Sequence, residues 1–228
     1  MKILRLLVLI IGTGILFGAS SYYLTIADVE PQLALFPFSH EYGFADEKGF
    51  VEYIQIGDEK YDDFFKSSAK LYGLSLLTKA MTTQTTEELK KYAISKVADE
   101  TLSQSIKEIV GDTPPEKYSI EQSIAIIKLA QQQGKIKDDE KKYFATTAVS
   151  LGVGVYSLGK GISEVSGLIS KGNELLQNVK SIKKTLILGA TKGLKSSLTN
   201  LQGVVENAPP TLEEMKVLLE AFTALGNM

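Results

Sequence analysis

The stretch LGVGVYSLGKGISEVSGLISKGNELLQNV, residues 151–179, sets the architecture. Wound as a helix, it places Leu151, Val155, Leu158, Ile162, Val165, Ile169, Gly172, Leu176 and Val179 on one stripe, and eight of these nine are apolar. The alternating steps of four and three make a heptad seam. Ala148, Gly152, Gly159, Ser163, Ser166 and Ser170 border the seam on one side, and Gly154 and Gly161 on the other. Lys160, Glu164, Lys171, Glu174 and Asn178 stand opposite.

Six glycines fall between residues 152 and 172. Each costs up to about 1 kcal/mol in a helix interior, so the six together cost on the order of 5 kcal/mol. Such a helix needs compensation from outside itself. Small residues beside an apolar seam let a second element approach closely. One reading packs the seam inside the protein's own bundle, where Gly159→Leu destabilises the fold by roughly 1–3 kcal/mol through overpacking. A second lays the seam on or in a membrane, and a third breaks the helix at Lys171-Gly172-Asn173.

A second apolar row runs through Ile182, Leu186, Ala190, Leu194, Leu198, Leu201 and Val205, with Gly189-x-x-x-Gly193 inside it. The pattern predicts one helix over about 141–170 and another over about 174–205, stacked as a hairpin or continuous. Charge divides unevenly around this region. Residues 22–140 carry a net charge of −8 and residues 141–205 a net of +7. The basic half faces the acidic half internally, an anionic lipid surface, or a polyanion. Lys160, Lys171, Lys183 and Lys192 recur at roughly eleven residues, a spacing that keeps one helix face. With Gly152, Gly154, Gly159 and Gly161 they form the predicted interaction surface.

Upstream, Tyr61, Phe64, Phe65, Ser68, Leu71, Tyr72 and Ser75 follow helical spacing from Asp58 onward. Three capping boxes mark further helix starts: Thr85-x-x-Glu88, Ser119-x-x-Gln122 after Pro114-Pro115, and Thr211-x-x-Glu214 after Pro209-Pro210. Residues 28–57 are irregular, broken by Pro31 and Pro37, with one short strand expected over Phe50–Ile56.

The N-terminus has Lys2 and Arg5, then an uncharged run from Leu6 to Ala27 closed by Asp28 and Glu30. A basic flank, an apolar centre and small residues Gly18-Ala19-Ser20-Ser21 resemble a secretory signal peptide cleaved after Ser20 or Ser21. Uncleaved, the run makes roughly 33 Å of helix, enough for an anchor with everything beyond Asp28 exported. Leu16-Phe17-Gly18-Ala19-Ser20 resembles a bacterial lipoprotein box with serine in place of the cysteine, so no thioether-linked lipid is expected.

Chemistry is sparse. With no cysteine, disulfides, thiolate nucleophiles and cysteine metal sites are excluded, and one histidine, His40, leaves no two-histidine metal motif. Gly154–Gly161 nearly matches a phosphate-binding loop but ends in glycine where a hydroxyl is required, and it lies inside the amphipathic pattern. Ser67-x-x-Lys70 and Ser157-x-x-Lys160 have the serine–lysine spacing of penicillin-recognising enzymes without their companion motifs. Asp58, Glu59 and Asp62 cluster without a spaced calcium loop. Asp138-Asp139-Glu140 sits where a helix dipole favours acids.

The expectation is an all-α chain: a bundle of about six helices over residues 58–228 with a long glycine-rich amphipathic pair. It is preceded by a signal or anchor helix at 1–27 and an irregular or extended segment at 28–57. No catalytic residue, cofactor or metal is expected. The expected function is that of an exported, envelope-associated protein acting through protein–protein contacts or self-association, free or tethered to the membrane. The alternative is a lipid-binding protein using residues 144–205 on an anionic membrane. A chain whose one arginine lies in the leader, and which is exported, is a poor nucleic-acid binder.

Overall fold

The computed structural model of the chain describes residues 19–38 and 49–226. The apolar leader centre, the lipoprotein-like box up to Gly18, and His40 lie outside the described residues. Strand β1 (Ser20–Leu24) leads into the short helix α1 (Ile26–Val29), and strand β2 (Val51–Gln55) precedes α2 (Glu59–Val97). Then come α3 (Ser103–Val110), α4 (Ile120–Gln132), α5 (Asp138–Gln177) and α6 (Ile187–Gly226). The described residues are therefore mostly helical, with six helices packed as a bundle and one two-stranded sheet.

Three long helices make the core. α2, α5 and α6, of 39, 40 and 40 residues, each run about 60 Å at 1.5 Å per residue. α5 and α6 share the most extensive packing in the chain and fold back as a hairpin through residues 178–186. The pairing directions follow from side chains. Gly172 lies against Phe64, Gly161 against Leu71 and Gly154 against Met81, so α5 runs antiparallel to α2. Gly193 lies against Phe65, and Thr86 donates to Glu214 at 3.3 Å, so α6 runs parallel to it. α4 packs across α2, with α3 on α4.

The glycine seam lies inside this bundle. Leu151, Leu158, Val165 and Gly172 are buried, and Val155, Ile162, Ile169 and Leu176 half-buried. A methyl on Gly172 would stand 2.6 Å from Phe64 Cζ and 2.8 Å from Leu198 Cδ2. On Gly193 it would stand 2.6 Å from Phe65 Cζ. These glycines hold the ends of large side chains from neighbouring helices, and that burial offsets their helix-propensity cost. The helix does not break at Lys171-Gly172-Asn173, because Gly172 is filled from outside by Phe64. Gly159 is a rim position, where a methyl meets only Leu212 Cδ2 at 4.0 Å, so the overpacking expected there belongs to Gly161 and Gly172 instead.

Of the three capping boxes, one caps a helix. Ser119 Oγ accepts from the Gln122 amide at 3.1 Å, and Gln122 Oε1 accepts from the Ser119 amide at 3.0 Å. Thr85 instead lies buried in the middle of α2. Its expected partner Glu88 accepts from Gln84 and from the Tyr143 hydroxyl, while Thr78, Thr82 and Thr83 satisfy their hydroxyls on carbonyls one turn back. Thr211 likewise donates to the Asn207 carbonyl at 2.8 Å, and α6 continues through Pro209 and Pro210. The two carbonyls that these prolines leave without donors belong to the exposed residues Val205 and Glu206.

The short strand expected over Phe50–Ile56 is present as β2, and the continuous anchor helix is corrected. Residues Leu6–Ala27 are not one helix, because Ser20–Leu24 pairs antiparallel with Val51–Gln55. Leu24 and Val51 bury with Ala69, and Gly73 of α2 leaves room for Val29 and Val51. Thr25 and Asp28 then form a capping box, and α1 begins where the anchor was expected to continue.

At the end far from the hairpin turn, Phe144 packs edge-on to Tyr92 and Phe222 at 5.1 and 5.5 Å. Beside them Lys96 binds Glu140 at 3.1 Å. Burial pushes the Glu140 carboxyl up, but the Lys137 amide and Lys96 pull it below its ordinary value. A carboxyl more acidic when folded adds stability above its unfolded pKa, and that stability is lost as pH falls through the folded value. Glu140→Gln is therefore expected to cost about 1–2 kcal/mol at neutral pH. In urea titrations across pH, the variant should also show a shallower loss of stability as pH falls below Glu140's ordinary value of 4.5.

Candidate functional site

A groove of about 860 Å³ lies between α2 and α5, bordered at one side by Glu30. The capping box of Thr25 and Asp28 sets α1, and the chain leaves it at Glu30. Ser157 Oγ donates to Glu30 Oε2 at 2.7 Å, pinning this corner to α5. Leu71 and Leu74 form the floor, reaching toward Gly161, whose missing side chain makes their place. Lys70 rises from α2, and Lys160 and Lys171 from α5, with Glu164 among them.

Both serine–lysine pairs open onto this groove. Ser67 and Lys70 are exposed, and the Ser157 hydroxyl is engaged by Glu30. The residues of the near phosphate-loop, 154–161, are helical, with no strand before them. Asp62 accepts from the Ile56 and Gly57 amides at 2.7 and 3.0 Å, so this acid closes the turn before α2. Among the described residues no cluster of three or more histidines or acids could hold a metal.

The eight residues of the predicted interaction surface separate. Gly154 and Gly161 are buried, and Gly152 and Gly159 half-buried beside the groove's Tyr156. Lys160 and Lys171 line the groove, with Lys160 4.0 Å from Glu164. Lys183 lies exposed on the hairpin turn, and Lys192 stands beside β2. Ion pairs that join the two halves include Lys141 to Asp138 at 3.9 Å, which is local to the first turn of α5, and Lys60 to Glu174 at 3.4 Å, which takes its lysine from the acidic half.

Several exposed apolar residues fall outside the predicted surface. Val149 is 71% exposed, Tyr156 73%, and Leu35, in a turn that packs on α5, 87%. The sequence carries a signal for the first two: both are apolar residues on the polar side of the α5 pattern, seven residues and two turns apart. Among the described residues no helix is long and apolar enough to cross a membrane. No protein-family model matches this chain, and no curated protein or solved structure matches it either.

Proposed function

We propose that this is an exported, non-catalytic helical protein of the cell envelope that acts through protein–protein contacts. The observation that carries the reading is the exposed α5 face, where Val149 and Tyr156 stand uncovered beside a groove with an apolar floor and a lysine rim. Tyrosine in such a setting is a strong interface anchor. The rim's three lysines against two glutamates suit a partner segment with an apolar residue flanked by acids.

Export rests on the leader. With Ser20–Leu24 in the sheet, the uncharged stretch outside it is Leu6–Ala19, fourteen residues. That length suits the apolar core of a signal peptide and falls short of the roughly 20 residues of a spanning helix. Cleavage after Ser21 would leave Tyr22–Leu24 still opposite Tyr53–Val51. Insertion of the whole 144–205 segment into lipid would require emptying the core around Phe64, Leu71 and Met81.

The test is a photo-reactive residue at position 156, cross-linked in the host, with position 217 as control. A partner adduct at 156 alone is expected. Tyr156→Ala should weaken that complex about 30-fold while leaving thermal stability within about 0.5 kcal/mol. A folded protein with no adduct at 156 would end this reading.

A further inference from the structure

We infer that the tip of the α5–α6 hairpin, residues 178–195, docks on an anionic lipid bilayer. Three independent observations meet there. The first is charge: the tip carries Lys180, Lys183, Lys184, Lys192 and Lys195 and no acid. All five are exposed, and none forms an ion pair with another described residue.

The second is an apolar group set among those charges. Leu188, in the first turn of α6, is 59% exposed, follows half-buried Ile187, and lies on the same helix face as Lys192 and Lys195 one and two turns on. An exposed leucine sharing a helix face with lysines is an arrangement that enters a headgroup layer, with the aliphatic group at the acyl boundary and ammonium groups on phosphates.

The third is where the apolar leader joins the fold. Ser20 pairs with Gln55, three residues before the Asp58 cap of α2. At that same end Tyr61 donates to the Leu175 carbonyl at 3.1 Å, and Lys192 stands beside Tyr53 and Ile54. Until the leader is removed, the apolar stretch that precedes Ser20 in the sequence therefore joins the bundle at the end that carries the lysine tip. This makes a bilayer the fitting occupant, over a protein or a soluble polyanion. Glu52 of β2 beside Lys192, Asp58 before α2, Glu59, Asp62 and Asp63 of α2 and Glu174 of α5 also lie toward this end, so the attraction is carried by the hairpin turn. The inference goes beyond the contact reading above and uses none of its groove residues.

The chain has no tryptophan, so Leu188→Trp introduces a single reporter at the tip, and Val217→Trp reports from about 45 Å further along α6. Each full-length variant is mixed with phosphatidylcholine vesicles with and without phosphatidylglycerol, some carrying brominated acyl chains. The expected result is a blue shift and bromine quenching for the indole at position 188 on phosphatidylglycerol vesicles only. The indole at position 217 should be unchanged, and salt should weaken the effect at 188. Combined Lys180→Glu, Lys183→Glu and Lys184→Glu should lower the docking constant at least about 100-fold, at about fivefold per lysine lost. Circular dichroism keeps a folded variant distinguishable from an unfolded one. No quenching of the tip reporter on anionic vesicles would overturn the inference. So would its equal quenching on both vesicle types, or quenching of both reporters, which means the bundle opens on lipid.

Discussion

Gly172→Leu is expected to lose about 3 kcal/mol of unfolding free energy, or to fail to fold, by urea denaturation of the purified protein. The backbone there is ordinary helix, so the loss comes from volume. A first carbon at this position already stands 2.6 Å from Phe64 Cζ and 2.8 Å from Leu198 Cδ2. Phe64 is fully buried and has no free space to move into, whereas half-buried Leu198 can give way in part. Overpacking of a filled core costs about 1–3 kcal/mol, and a rigid, fully buried ring at 2.6 Å puts this site at the upper end. Gly167 makes the contrast on the same helix. Nothing lies within 4 Å of a methyl there, so Gly167→Ala should raise stability by about 0.5–1 kcal/mol from helix propensity alone. Equal effects at the two sites would mean that α5 is not packed as described.

The other large effect lies at the far end of the bundle. Phe144→Ala should cost about 3–5 kcal/mol, because it removes a fully buried ring and leaves a cavity that rigid neighbours cannot fill. Tyr92 and Phe222 meet that ring edge-on from α2 and α6, so its loss unties all three long helices at once. Phe144→Leu should recover more than half of the loss. The urea midpoints of the two variants separate this packing effect from a general intolerance of substitution at the site.

The helical bundle and the amphipathic hairpin are legible in the sequence because they rest on periodicity, which is a property of the chain itself. Local chemistry is legible where it stays local: Ser119 and Gln122 need only each other. The same spacing misleads at Thr85 and Thr211, where the acid three residues on is taken by a partner far along the chain. Glu88 serves Tyr143, and Glu214 serves Thr86. Pro209 and Pro210 read as a boundary, yet the carbonyls they orphan belong to exposed residues and the helix passes through. Strand β1 is hidden because its residues merge with the leader's apolar run, and its partner lies about thirty residues on. The glycines announce sites of close approach. Which of them are filled, and by which side chains, depends on the register of three helices, and register is not written in one helix's own pattern.

For the candidate site, the lysines and both serine–lysine pairs are visible as residues, but the groove that gathers Lys70, Lys160 and Lys171 arises only when α2 lies against α5. One claim underlies both the packing and the proposed surfaces: the glycine face of α5 is spent inside the bundle, and the lysine tip is free for a surface. Hydrogen exchange of the full chain with and without phosphatidylglycerol vesicles puts both halves of that claim to the test. Unchanged protection across residues 151–172 is expected, with slowing confined to 178–195. Faster exchange across 151–172 on lipid would contradict the claim, because the seam would then be leaving the core for the membrane.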